Sequence, residues 1–351
     1  MILSRLHSFR SWPEPLLQIL ESCWRSGVRL GHWRTQLRER AGNWPLKLPV
    51  PVISVGNIAV GGTGKTPITQ ALACHWISQG GKPGIVSRGY RGGTDGNDEY
   101  QMLKKCLPEV PHFQNRCRFK AGTQLLEQHP ETDLILIDDG FQHRRLYRDL
   151  DVVLLDGMDP LGGGHCLPRG LLREPWQNLA RADHLILTRV ERCDEKRLDE
   201  SIGFLQQWFP DIPRWQSRTE VKEFRSLDPT PVPSDPGLAH AFSGIGDPDS
   251  FRHTLESQDW QLTGHTAFGD HHRYTRADVE NLNRRARSEG ASFLICTAKD
   301  AVKIEPVDRA TIASQLPILV VEIAPSLDMA PLLADIQDRS SAGKRELPTA
   351  S

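Results

Sequence analysis

The sequence has no long hydrophobic run. Its longest unbroken apolar stretches are four residues, as in Leu134–Ile137 and Val152–Leu155, whereas a membrane-spanning helix needs about 20. A transmembrane segment is therefore excluded. A secretory signal is equally unsupported, because Arg5, His7, Arg10 and Glu14 interrupt any apolar core near the N-terminus. Charge of one sign is lacking too: 43 Lys and Arg stand against 44 Asp and Glu. That balance excludes a strongly basic nucleic-acid binder, and with 38% hydrophobic residues it excludes a disordered polyelectrolyte. The seven cysteines are odd in number and none are closely paired. Neither a disulfide framework nor a cysteine zinc site fits, and a reducing, cytoplasmic setting is expected.

The 351 residues exceed the roughly 250–300 at which one core stops growing, so two domains are expected. Residues 1–48 stand apart, with eight Arg and Lys against three Glu. There Leu16, Leu20, Cys23, Trp24 and Gly27 recur at helical spacing while Arg25 and Arg29 fall elsewhere on the helix. Such a basic amphipathic helix either packs on its own domain or lies at a lipid interface.

From Pro49 short β-branched runs alternate with helical stretches, the pattern of a mostly parallel α/β sheet flanked by helices. Strands are predicted at 51–56, 83–87, 133–138, 151–155 and 184–188, with helices at 65–79, 118–129 and 195–208. Residues 49–209 form the expected nucleotide-binding domain. Six prolines between 210 and 236 predict a linker or irregular crossing. A smaller C-terminal α/β domain is expected over 237–339, with strands at 238–243, 261–265, 292–297 and 318–323 and helices near 248–257, 276–288 and 328–338. A frayed tail is expected over 340–351.

The chemistry-bearing signals begin after the first strand. Gly61, Gly62, Thr63, Gly64, Lys65, Thr66 and Pro67 read as a P-loop leading into a helix, with Ala59 where the strict pattern has Gly. The glycines turn backbone N–H groups onto phosphate oxygens, Lys65 reaches the terminal phosphates and Thr66 is placed to hold Mg²⁺. An apolar strand ending in Asp138 and Asp139 supplies the carboxylates that P-loop enzymes use for the metal, Asp138 being the better candidate. Gln142 and His143 follow at the carboxyl edge of the sheet, where α/β proteins bind ligands. The nearest match to a guanine-reading Asn-Lys-x-Asp is Thr297-Ala298-Lys299-Asp300, with Lys and Asp adjacent, which disfavours a GTP switch. Asp270-His271-His272 offers one candidate catalytic histidine for a phosphotransferase.

Taken with Ser87-Arg88-Gly89-Tyr90, Asp98-Glu99, Leu167-Pro168, Leu172-Arg173-Glu174-Pro175, Ser243-Gly244-Ile245-Gly246 and Lys299-Asp300-Ala301-Val302-Lys303, the chain resembles the tetraacyldisaccharide 4′-kinase family, the lipid A 4′-kinases, from about Trp24 to Lys303. The resemblance implies two α/β domains joined by a hinge, with ATP, Mg²⁺ and a tetraacyldisaccharide 1-phosphate lipid bound between them. It implies transfer of the γ-phosphoryl group to the 4′-hydroxyl, at the cytoplasmic face of the bacterial inner membrane and in peripheral contact with it. Asp98 matches the family's catalytic base, assisted by His271. Arg88, Glu99, Arg118, Gln142, His143, Arg173 and Glu174 match polar residues of the phosphate and substrate cleft. Asn97, Tyr100, Gly163, Arg169, Leu171 and Ala298 depart from the family's usual residues. A different reading of the same P-loop is an ATPase that controls a partner protein; it predicts nucleotide turnover with no acceptor lipid.

Overall fold

The computed structural model describes residues 12–42, 45–89, 98–227, 232, 237–270, 272–304, 316–327 and 330–342. The chain divides into two compact units, one of residues 5–218 with 325–351 and the other of residues 219–324 with the first four.

The larger unit opens with helix α1 (Glu14–Arg40), followed by β1 (Val52–Asn57), α2 (Lys65–Ser78), β2 (Pro83–Ser87), α3 (Asp98–Cys106), β3 (His112–Gln114), α4 (Arg118–Gln128), β4 (Leu134–Asp138), β5 (Leu150–Asp156), β6 (His184–Thr188) and α5 (Glu195–Trp208). Strand β7 (Arg214–Ser226) starts in this unit. The strand order is β3-β2-β4-β1-β5-β6-β7, with every recorded pair parallel. Strands β1, β2 and β4 are buried at every position, which explains why they read as unbroken apolar runs rather than alternations. Ile53, Val55, Leu134, Leu136, Val152, Leu154 and Ile186 pack on Ile68, Leu72 and Trp76 of α2. On the opposite face Val153, Leu155, Leu185 and Leu187 pack with Leu205 and Phe209, while Ile135 and Ile137 meet Ala121 and Leu125 of α4.

The smaller unit contains β8 (Leu238–Ser243), α6 (Pro248–Glu256), β9 (Gln261–Ala267), α7 (Arg276–Ser288), β10 (Phe293–Thr297), α8 (Ala298–Ile304) and β11 (Ile318–Ser326). Its strand order is β11-β10-β8-β9, again parallel. Local chemistry fixes the helix starts: Asp247 accepts from Ser250 N with Pro248 in the first turn, and Thr275 and Asp278 form a capping box.

Two expectations about the chain's division change. The region predicted as a linker or crossing, 210–236, contains the boundary between the two units, at 218/219, but the chain runs there as the 13-residue strand β7 rather than irregularly; the prolines at 210 and 213 stop α5 and precede the strand rather than interrupting it. The helix predicted near 328–338 forms as α9 (Ala330–Ala342) but belongs to the larger unit, because Leu332, Leu333 and Ile336 fill the face of its sheet beside Leu150 and Ile186 and Asp335 pairs with His184 at 2.8 Å. Helical periodicity shows that a face is apolar, not which sheet it covers. Residues 343–351 of the expected tail lie outside the described residues.

Candidate active site

The site is built where β1 and β4 end side by side, Val55 facing Asp138 in the parallel register. The chain leaves β1 through a tight loop that reaches left-handed geometry at Gly64, φ 78°, before α2 begins at Lys65, so the loop's N–H groups and the helix N-terminus converge. The turn after β4 packs directly on β1: a β-carbon on Gly140 would lie 2.5 Å from Ser54 Oγ, and one on Gly56 2.6 Å from Phe141 Cβ. Only glycine fits at these two positions, and the carboxylates at the end of β4 are thereby held against the P-loop.

Those two carboxylates have different environments. Asp138 is buried, with Oδ2 3.5 Å from the Thr66 hydroxyl and Oδ1 without a hydrogen-bond partner among the described residues. Burial, reinforced by the Glu99 charge and opposed by Lys65, pushes its carboxyl up to about 7. Asp139 adopts φ 57° and turns to cations: Lys65 Nζ is 3.7 Å away, and Arg173 Nη1 donates to both its oxygens at 3.0 and 3.1 Å. Burial raises its pKa, but Lys65 and Arg173 outweigh that and bring it to about 2. A buried carboxyl with an unpartnered oxygen thus stands next to an ionised one held by two cations.

Around this pair the structure gathers most of the remaining residues that the sequence points to. Arg118 is buried and donates from Nη2 to Asp139 O at 3.3 Å; burial lowers its pKa, and Asp139 opposes this. Arg88 is exposed at the end of β2, near enough for its charge to bear on Arg118 and His143. Burial and the neighbouring Arg118 push His143 down to about 4, leaving a neutral imidazole at pH 7. Gln142 donates to Asn57 O at 2.8 Å and to Glu174 Oε1 at 3.1 Å. Glu174 is almost wholly buried and accepts from Asn178 at 2.8 Å and from Arg181 at 3.0 and 3.1 Å. It orients Gln142 from beneath the site. Glu99 lies half-buried in the first turn of α3. Asp98 begins that helix, but its side chain, like the whole of His271, lies outside the described residues. His271's neighbours are engaged within the smaller unit: Asp270 with Lys299 at 3.4 Å, and His272 with Asp278 at 3.2 Å and stacked on Phe268.

Several contributors carry no sequence signal. Arg181 lies with its guanidinium 4.5 Å from the Phe141 ring centroid, so Glu174 and Phe141 are held by one residue that no motif contains. Helix α1 reaches the same region: Trp24 Nε1 donates to Arg173 O at 2.8 Å, and His32 lies 3.5 Å from Glu174.

The geometry is that of a phosphate-binding loop facing an acidic pair and two arginines, and the comparisons with known proteins agree with it. A family profile described as Tetraacyldisaccharide-1-P 4'-kinase matches residues 14–340. The chain belongs to that family. The Tetraacyldisaccharide 4'-kinase of Syntrophobacter fumaroxidans is 36% identical over 309 residues, covering 82% of this chain and 79% of that protein. The protein of the same name from Chromobacterium violaceum is 36% identical over 317 residues, covering 85% and 86%. Crystalline LpxK from Aquifex aeolicus in complex with ATP matches with a TM-score of 0.70 at 27% identity, covering 93% of this chain and 99% of that one. Every residue of the P-loop and acidic pair lies inside the span matched by the 4'-kinase family.

Proposed function

We propose that this chain transfers the γ-phosphoryl group of ATP to the 4′-hydroxyl of a tetraacylated glucosamine disaccharide 1-phosphate. The observation that carries this reading is the meeting of Lys65, Asp139 and Arg173 beside a buried, half-satisfied Asp138 at the mouth of a P-loop. The loop N–H groups hold the phosphates, and Lys65, Arg173 and Arg118 set positive charge where the transferred group gathers negative charge. Thr66 and Asp138 would hold Mg²⁺: the free Asp138 Oδ1 and the adjacent Thr66 hydroxyl offer the oxygen donors that this ion takes alongside substrate phosphates. The chemistry Mg²⁺ supplies when bound is neutralisation of charge on the phosphate oxygens. Asp139, paired with two cations, keeps Lys65 extended. Asp98 is the base toward the acceptor hydroxyl, with His271 assisting, on the strength of the family resemblance.

The deciding experiment incubates the full chain with labelled ATP, Mg²⁺ and the disaccharide 1-phosphate lipid. Label is expected in the lipid. Label released only as inorganic phosphate, at a rate indifferent to lipid, would instead support an ATPase acting on a partner protein.

Because burial holds Asp138 near 7, this carboxyl is protonated below that pH and ionised above it. Mg²⁺ binding needs the ionised form. Mg²⁺ affinity in the ATP complex is therefore expected to weaken by up to about tenfold per pH unit below 7 and to level off above it. Mg²⁺ titrations of turnover at pH 6, 7 and 8 measure this. Asp138→Asn should abolish the slope as well as most of the rate; an unchanged slope in that variant would remove Asp138 from the metal site.

Helix α1 supports peripheral contact with the cytoplasmic face of the inner membrane. One side docks on the larger unit through buried Leu17 and Glu21, with Glu14 and Glu21 paired to Arg169 at 2.6 and 3.4 Å and Glu39 to Arg144 at 3.2 Å. The outward side carries Ile19, Leu30 and Trp33, 60, 47 and 56% exposed, flanked by exposed Arg29, Arg34, Arg38 and Arg40. This inverts the usual polarity of a surface helix and suits the boundary between headgroups and acyl chains. No helix among the described residues is long and apolar enough to cross a membrane. Ile19→Glu with Trp33→Glu is expected to reduce binding to anionic vesicles by at least about tenfold, with an unchanged melting temperature. Salt should weaken the intact protein's binding by screening the arginines. Equal flotation of the two proteins would leave α1 a packing helix.

A further inference from the structure

Arg173, the cation that grips Asp139, belongs to neither a helix nor a long strand. It lies in the connection between β5 and β6, where Leu172 makes isolated bridges with Ala59 and Cys166. Its Nη1 nonetheless donates to both oxygens of Asp139 at 3.0 and 3.1 Å and to Gln142 Oε1 at 3.2 Å. A long side chain on a connecting segment carries much rotamer freedom, so such a geometry needs its backbone fixed. Two neighbours fix it. Arg173 N donates to Ile58 O at 2.8 Å, and Val60 N donates to Leu171 O at 2.8 Å, which ties the segment to the chain running from β1 into the P-loop. Arg173 O, the other side of the same residue, accepts from the Trp24 indole of α1 at 2.8 Å.

This tie is separate from the contacts that seat α1. Leu17, Glu21, Trp24, Val28 and His32 fall at three- and four-residue steps and share one side of the helix. Leu17 is buried, Glu21 accepts from Cys166 N at 3.0 Å and pairs with Arg169 at 3.4 Å, and Glu39 pairs with Arg144 farther along. These contacts dock α1 whether or not residue 24 donates. The Trp24 ring is 43% exposed, so its burial contributes little and the directional part of its contact is the N–H. An indole nitrogen is a donor only, and here it donates to the peptide that carries the arginine.

We propose that Trp24 is a positioning residue for phosphoryl transfer: α1, whose outward side suits lipid, also belongs to the active site, because it holds the Arg173 peptide so that the guanidinium meets Asp139 and the transferred group. The proposal rests on the kinase reading given above. It is tested with Trp24→Phe, which keeps an aromatic ring and removes the donor, by following label from ATP into the lipid with the full chain. The variant's kcat is expected to fall about tenfold, since a small misplacement caused from outside the chemistry costs up to about 10²-fold. KM for ATP and for lipid should stay within about twofold of wild type, because the lost interaction is one made in the transition state. Flotation on anionic vesicles should be unchanged. In an Arg173→Gln background the same substitution should cost less than about twofold, because no guanidinium is left to place. A kcat that does not fall, an equal loss in both backgrounds, or a loss that follows vesicle binding would make Trp24 a docking or lipid-contact residue and overturn the proposal. A wild-type chain that moves no label into lipid would fail the kinase reading itself, and the positioning role with it. Should Trp24→Phe not fold by calorimetry, benzothienylalanine in place of Trp24, with sulfur where the indole has N–H, gives the same comparison with the same outcomes.

Discussion

Lys65→Ala is expected to lower single-turnover phosphoryl transfer by about 10³-fold or more. Lys65 Nζ is held 3.7 Å from Asp139 on a side chain only 12% exposed, so its charge acts in a site with little water to screen it. Removing one such preorganised charge from a transferring group costs on the order of 10²–10³ in rate for a neutral donor and up to about 10⁵ for a cation at a phosphoryl group. The loss should be concentrated in turnover, with ATP affinity falling far less, because the loop N–H groups still hold the phosphates. Lys65→Arg should not restore the rate, since a planar guanidinium does not replace a compact ammonium in the same space. The measurement is transfer of label from ATP to the lipid under single-turnover conditions, with folding checked by calorimetry. A Lys65→Ala variant turning over near the wild-type rate would remove the P-loop from the chemistry.

The parts of this site that sequence makes legible are those dictated by neighbours in the chain. The P-loop shows itself because glycines, Lys65 and Thr66 must follow a strand within a few residues, and the buried strands β1 and β4 show themselves because both their faces are covered. Asp138 and Asp139 are legible as an acidic pair but not as two different groups. The division arises when Asp139 enters the left-handed region and meets Arg173, 34 residues away, while Asp138 stays beneath Thr66. Partners brought together only by folding leave no local trace: Glu21 with Arg169 across 148 residues, Trp24 with Arg173 across 149, and Gln142 with Glu174 across 32. Strand β7 is hidden for a different reason. Its sequence is mostly polar and half-exposed, so the prolines on either side of it speak louder than its own pattern.

Asp98→Asn is expected to cut single-turnover transfer by about 10²–10⁴-fold, the usual cost of losing a general base, while ATP affinity stays close to wild type. The separation follows from placement in the chain: the loop proposed to hold the nucleotide ends at α2, whereas Asp98 begins α3. His271→Ala should produce a loss of the same kind. If the two side chains act as one unit, removing the second after the first costs little more, because the assistance one gives is worthless without the other. The double variant should therefore be scarcely slower than the poorer single one. Two residues that only brace the fold would behave differently, lowering the melting temperature in each variant, with residual activity following the folded fraction. Rates taken at saturating ATP and lipid, beside calorimetry on the same preparations, separate the cases. Losses that multiply across the two substitutions, in proteins of unchanged stability, would mean that Asp98 and His271 act independently and that the proton of the 4′-hydroxyl is not taken by a coupled pair.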